Sequence, residues 1–142
     1  MQRSIMRELA FKLIYETEMQ KQLDTNQLEI FFENNEIEED DAKFYLTDIR
    51  VGTEKNKEEI EGLIIKNLKN NWTLDRISKI NLSLIKIAIY EMLYKNLPYK
   101  VAINEVVELA KKYSDENAPQ FINGILASVV KEKNLNGENN EA

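Results

Sequence analysis

Residues 82–94 constrain this 142-residue sequence more than any other stretch: ten of the thirteen are apolar, and only Ser83, Lys86 and Glu91 interrupt them. On a helix these apolar side chains fall on every side. A helix that is apolar nearly all round is the buried centre of its bundle, and the run is shorter than the roughly 18 residues that would span a bilayer. The rest of the chain must therefore supply a coat of other helices. Composition allows it, because Leu, Ile, Val and Phe make up about 30% of the residues, above the roughly 20% below which disorder is expected. A chain of this size fits one domain and buries roughly 70% of the surface its unfolded form exposes.

The flanking segments carry helical periodicity, and glycine and proline are scarce. A first helix over 4–22 places Ile5, Met6, Leu9, Ala10 and Leu13 on one stripe. Asp24 or Thr25 can cap a short helix bearing Leu28, Phe31 and Phe32, which breaks at Asn34-Asn35-Glu36. The run Glu38-Glu39-Asp40-Asp41 then opens a helix with negative charge in its first turn, where the helix dipole favours it. That pattern runs through Phe44, Tyr45 and Ile49, bends between Gly52 and Asn56, and continues through Ile60, Leu63, Ile64 and Leu68. Thr73 and Asn81 are candidate caps for a short helix and then the central one, which Pro98 ends. A further helix covers 101–113. The last starts near Asn117, takes Pro119 in its first turn and reaches about Lys133, leaving 135–142 as a frayed tail. No strand pattern appears, so the predicted fold is all-α.

Two absences narrow the chemistry. Without cysteine there is no disulfide, no thiolate nucleophile and no cysteine-type zinc site. Without histidine the commonest general base and the usual transition-metal ligand are missing. Gly52, Gly62, Gly124 and Gly137 are too dispersed for a phosphate-cradling loop. The chain reads as a non-enzyme that needs no cofactor or metal. With no basic-then-apolar leader it is expected to be soluble and cytoplasmic. The net charge of −6 is uneven: residues 24–65 carry −9, whereas 66–133 carry +4. The overall balance opposes nonspecific nucleic-acid binding but leaves room for a local basic face.

Arg3, Arg7, Phe11 and Tyr15 stand four residues apart and form one ladder on the first helix. Two guanidiniums followed by two rings suit single-stranded RNA, with Arg holding phosphates and rings stacking bases. The same spacing also suits a two-sided core in which Phe11 and Tyr15 pack against another helix. The acidic run at Glu36 and 38–41 lacks the alternating ligands and central glycine of a calcium loop, so it reads as helix-start charge. Trp72 reads as a packing anchor at a junction between two halves.

The blocks Ile85-Lys86-Ile87-Ala88-Ile89-Tyr90-Glu91, Pro98-Tyr99-Lys100-Val101-Ala102-Ile103-Asn104-Glu105 with Val107-Glu108-Leu109-Ala110-Lys111, and Phe121-Ile122-Asn123-Gly124-Ile125-Leu126 strongly resemble the NusB transcription antitermination factor family. Arg7-Glu8, Ala10 and Ile14-Tyr15 look like its Arg-rich opening helix. The resemblance covers residues 3–133, although 24–75 match only in length and pattern. It implies about seven helices in two packed halves, near 1–70 and 71–134, within a single domain over 1–134. It further implies a non-catalytic adaptor that binds boxA-type single-stranded RNA of ribosomal RNA leaders. The implied partner is NusE, a small-subunit ribosomal protein, and the pair helps RNA polymerase antitermination complexes read through terminators.

Residue by residue, the family's opening helix often bears a dense Arg cluster, of which this chain keeps Arg3 and Arg7. A thinner cluster implies weaker, less salt-sensitive RNA binding. Where the family commonly shows an acidic pair followed by Ser, this chain has Glu116-Asn117-Ala118; an amide there removes repulsion from phosphate and adds donors. Tyr15 and Phe121 match family aromatics, and Phe121 can either stack a base or join Ile122 and Ile125 in the core. Spacing and resemblance together give a candidate RNA-binding set of Arg3, Arg7, Phe11, Tyr15, Asn117, Gln120 and Phe121, with Asn81 and Lys86 as candidate partner-binding residues. Asn104 and Glu105 are expected to bond internally, and Gly124 to permit close helix approach. A homodimer is compatible with the pattern.

Two other readings stand beside this one. A similar helical domain precedes the catalytic domain of certain ribosomal RNA cytosine methyltransferases, but these 142 residues contain neither an α/β cofactor domain nor a cysteine nucleophile. A helical scaffold that binds only protein is the third.

Overall fold

The computed structural model describes residues 1–20, 25–69 and 71–135. Asp24 as a cap and the frayed tail over 136–142 lie outside the described residues, whereas the first helix stops at Met19, with Gln20 extended, short of the expected Gln22. Among the described residues the chain forms seven α-helices, a short 3-10 turn and no strand. The helices are α1 (Arg3–Met19), α2 (Gln27–Asn34), α3 (Asp40–Lys55), α4 (Lys57–Lys66), α5 (Lys79–Tyr94), α6 (Tyr99–Tyr113) and α7 (Ala118–Glu132), with the 3-10 turn at Leu74–Arg76 before α5.

The apolar run is the centre of the bundle. Residues 81–92 of α5 are all buried, and α5 packs against α1, α3, α4, α6 and α7. Leu84, Ile85, Ile87 and Ile89 are fully enclosed, each worth about 1.5–3 kcal/mol relative to exposure. The three interruptions in the run all find partners. Ser83 Oγ donates to the Lys79 carbonyl (2.6 Å), Lys86 reaches two carboxylates, and Glu91 receives Arg7. A charge can occupy this interior only when so paired.

Local chemistry explains the helix ends. Ser78, not Asn81, caps α5: its Oγ accepts the Asn81 N–H at 3.1 Å, and Asn81 lies inside the first turn. Asn26 precedes α2 in place of Thr25. After α2 the chain turns through Glu36 at φ 54°. The Ile37 N–H donates to the Phe32 carbonyl (2.9 Å) and the Glu36 N–H to the Glu33 carbonyl (3.2 Å), which together close a Schellman cap. α5 ends four residues ahead of Pro98, at a turn through Asn96 (φ 55°), and Pro98 instead stands at the start of α6. Asp40 and Asp41 occupy the first turn of α3 as expected.

The bend expected between Gly52 and Asn56 falls at Asn56, which separates α3 from α4, and not at Gly52. Gly52 lies within α3, which runs on to Lys55, and a Cβ there would collide with the Tyr90 ring. The glycine is what lets Tyr90 lie against α3, where its hydroxyl donates to Asp48 at 3.0 Å. Gly124, the expected close-approach position, is exposed, and an added Cβ would meet nothing.

Candidate nucleic-acid interface

The ladder on α1 does not form one exposed ridge. Arg3 is exposed in the first turn, but Arg7 is only 2% exposed. Its Nε donates to Glu91 Oε1 (2.9 Å) and its Nη2 to Glu91 Oε2 (3.2 Å). Tyr45 Oη donates to the same carboxylate at 3.3 Å, and Glu105 lies 3.7 Å from Arg7 Nη1. Four helices, α1, α3, α5 and α6, thus meet at one guanidinium. Burial alone would lower the Arg7 pKa, but the Glu91 hydrogen bonds and the surrounding negative charge raise it above its ordinary value. Arg7 is therefore corrected from phosphate contact to internal brace. The family-like Glu105 reaches this network, whereas Asn104 is exposed.

Phe11 is also corrected. It is 4% exposed and packs on Tyr113 (5.0 Å between centroids) and Tyr15 (6.1 Å), which is the two-sided-core alternative. The buried stripe of α1 runs through Met6, Arg7, Ala10, Phe11, Leu13 and Ile14. It is rotated from the stripe of Ile5, Met6, Leu9, Ala10 and Leu13 read from the sequence, leaving Ile5 48% exposed. α1 packs on α3 and α5, and α6 adds Tyr113 over Phe11 on the flank that periodicity alone assigned to solvent. Tyr15 is half-buried against the core.

A second cluster gathers where α7 begins. Asn117 immediately precedes the helix and Gln120 lies in its first turn, both exposed. The Asn117 N–H donates to Asp115 Oδ1 at 3.0 Å, and its side chain makes no cap bond, so the amide faces outward beside a helix N-terminus suited to anions. Phe121 is half-buried against Trp72, with centroids 5.6 Å apart. Trp72, expected as a packing anchor, packs on Phe121 yet stays 46% exposed, with the Arg76 guanidinium 5.8 Å from its ring.

The last turn of α6 links the two clusters. Lys112 Nζ donates to Glu8 Oε2 at 2.7 Å, and the Tyr113 hydroxyl donates to the same oxygen. These bonds hold the Glu8 carboxyl below its ordinary range against the opposing effect of burial. Asn117 follows only four residues after the Tyr113 ring that Phe11 packs on. Ser114 Oγ donates to Asn81 Oδ1 (2.8 Å) and ties this connection to the first turn of α5.

The two expected partner contacts face inward. Asn81 is buried and occupied by Ser114. Lys86 is 5% exposed and bridges Glu18 of α1 (2.8 Å) and Glu61 of α4 (2.7 Å). Both sit on the central helix with their polar groups already bonded within the chain.

A family model described as the NusB family matches residues 4–131. The chain belongs to the NusB family. It is 46% identical over 142 residues to a transcription antitermination protein NusB from Acetivibrio thermocellus, covering 99% of this chain and 97% of that protein. Among solved structures it is similar to T. maritima NusB, with a TM-score of 0.83 and 32% identity over 93% of this chain and 92% of that one. The fold is also that of a chain from a complex of antitermination factors NusB and NusE with dsRNA. There the TM-score is 0.82 and identity is 24%, over 92% of this chain and 96% of that one.

Against this NusB-type frame, the exposed members of the expected RNA-binding set are Arg3, Asn117 and Gln120, with Tyr15 and Phe121 half-buried. Sequence reasoning did not place Trp72 with Arg76, or Tyr113 with Lys112, in the neighbourhood of that set. The available signal was a lone tryptophan in a polar stretch, four residues before an arginine. No helix among the described residues is long and apolar enough to cross a membrane.

Proposed function

We propose that this chain is a non-catalytic, cytoplasmic antitermination adaptor. It binds boxA-type single-stranded RNA of ribosomal RNA leaders together with NusE and helps RNA polymerase read through terminators. The observation that carries the reading is the near-full-length match to an antitermination protein NusB. The surface is compatible with it: half-buried rings at Tyr15 and Phe121 can stack unpaired bases, and Asn117, Gln120 and Arg3 can donate to phosphates and bases. The known complex of a relative fold with NusE and dsRNA supports RNA and NusE as the ligand classes.

Arg7 enters this reading as the brace that positions α1, not as a phosphate contact. In this reading NusE docks mainly on surface other than the buried Asn81 and Lys86. The test is transcription in vitro with RNA polymerase antitermination complexes on a template carrying a boxA leader ahead of a terminator. Adding the chain with NusE should raise readthrough on that template and not on one with a scrambled leader. Equal readthrough on both templates would contradict the reading.

A further inference from the structure

We infer that Trp72 and Arg76 extend the RNA-binding face beyond α7: an unpaired base stacks on the Trp72 indole while Arg76 holds the adjoining phosphate. The inference rests on the RNA-binding function proposed above and adds a contact site to it.

Trp72 is a large aromatic left nearly half exposed, yet it is firmly placed. The Phe121 ring supports it at 5.6 Å with a 38° tilt. Asn71 at φ 73° turns the chain, a conformation asparagine tolerates better than most residues, and the Trp72 N–H donates to the Lys69 carbonyl at 3.1 Å. Arg76 Nη1 donates to the Asn71 carbonyl, also at 3.1 Å, which steadies the guanidinium 5.8 Å from the indole. A ring and a cation already held in place lose little freedom when a ligand arrives.

Charge points the same way. The chain as a whole is acidic, but residues 69–79 carry Lys69, Arg76 and Lys79 against the single carboxylate of Asp75. That carboxylate is turned to the Thr73 hydroxyl, which holds it below its ordinary range and therefore charged. Stacking rings beside a cationic track are what sequence-tolerant single-strand binding uses. The Trp72–Phe121 contact makes the patch continuous with Asn117 and Gln120 at the start of α7. A purely structural Trp72 would serve only as a cover for Phe121.

Trp72 is the only tryptophan in the chain, so its emission reports this site alone. A fluorescein-labelled boxA-type RNA is titrated with the parent chain, with and without NusE. Anisotropy gives affinity, and tryptophan emission is read in parallel against Trp72→Phe as the baseline. The expected result is saturable quenching that tracks anisotropy. Trp72→Ala should weaken binding by roughly tenfold, as lost base stacking does, while Trp72→Phe retains most of the affinity. Arg76→Ala should lower the salt slope by about 0.7, the value for one phosphate contact on a single strand, and Arg76→Lys should restore it. Thermal unfolding identifies any variant that fails to fold, in which case the emission titration and Trp72→Phe carry the test. RNA binding with unmoved emission and alanine variants within twofold of the parent would overturn the inference alone. Absence of RNA binding by the parent, even with NusE, would overturn it together with the proposed function.

Discussion

Arg3 and Arg7 stand one turn apart on α1, and their substitutions should separate folding from binding. Removing one partner of a buried ion pair leaves the other charge uncompensated, a loss of about 3–5 kcal/mol. Arg7→Ala should therefore lower the denaturant midpoint by that equivalent through orphaning Glu91, whereas Arg3→Ala should unfold with the parent and weaken only RNA binding. Equal stability of the two variants would contradict the brace. The glycines give a second pair with opposite signs. Gly52→Ala drives a Cβ into Tyr90 and should cost about 1–3 kcal/mol. Gly124→Ala adds a Cβ in open space within a helix and should stabilise by about 0.5–1 kcal/mol. Thermal unfolding of both variants reads the contrast. Neither role was legible in the sequence: helical spacing shows which residues share a face of their own helix, but not which neighbouring helix covers it.

At the scale of elements, the junction of α1 with α6 is pH-sensitive. The Glu8 carboxyl is lowered from 4.5 by the Lys112 and Tyr113 hydrogen bonds. A depressed carboxylate contributes stability that is present above the unfolded value near 4.5 and is lost as pH falls through the folded one. Melting temperatures followed from pH 7 to pH 3 should fall more for the parent than for Glu8→Gln below about pH 4.5. Parallel curves would contradict the clasp. At the start of α7, Asn117→Asp places a negative charge where the helix dipole favours it, by about 0.3–1 kcal/mol. The same charge repels phosphate. That variant should melt no lower than the parent and yet bind boxA-type RNA more weakly, a divergence visible by measuring both. Helix number and order were legible because the apolar period is strong and the Gly and Pro punctuation sparse. Ends were less so: Ser78 and Asn81 are both good capping residues, and only the backbone geometry selects Ser78.

For the molecule as a whole, the buried charges are arranged as cross-braces on the central helix. Arg7–Glu91 draws α1 and α5 together, and Lys86 draws Glu18 of α1 and Glu61 of α4 onto α5. Side chains that a sequence presents as candidate ligand contacts are thereby spent internally. The outer surface retains Arg3 at one end of α1, and Tyr15 about 18 Å farther along its axis. It also retains the Asn117, Gln120 and Phe121 group beside Trp72 and Arg76. The family blocks made the adaptor reading legible from sequence; which of their residues reach solvent was not, since burial depends on how helices cross. The most direct measurement is titration of a boxA-type RNA and a scrambled control with the purified chain, with and without NusE, at two salt concentrations. Preferential boxA binding that NusE strengthens, with a shallow salt dependence reflecting few phosphate contacts, is the expected result. Equal affinity for both RNAs in every condition would contradict the account and leave a scaffold that binds protein alone.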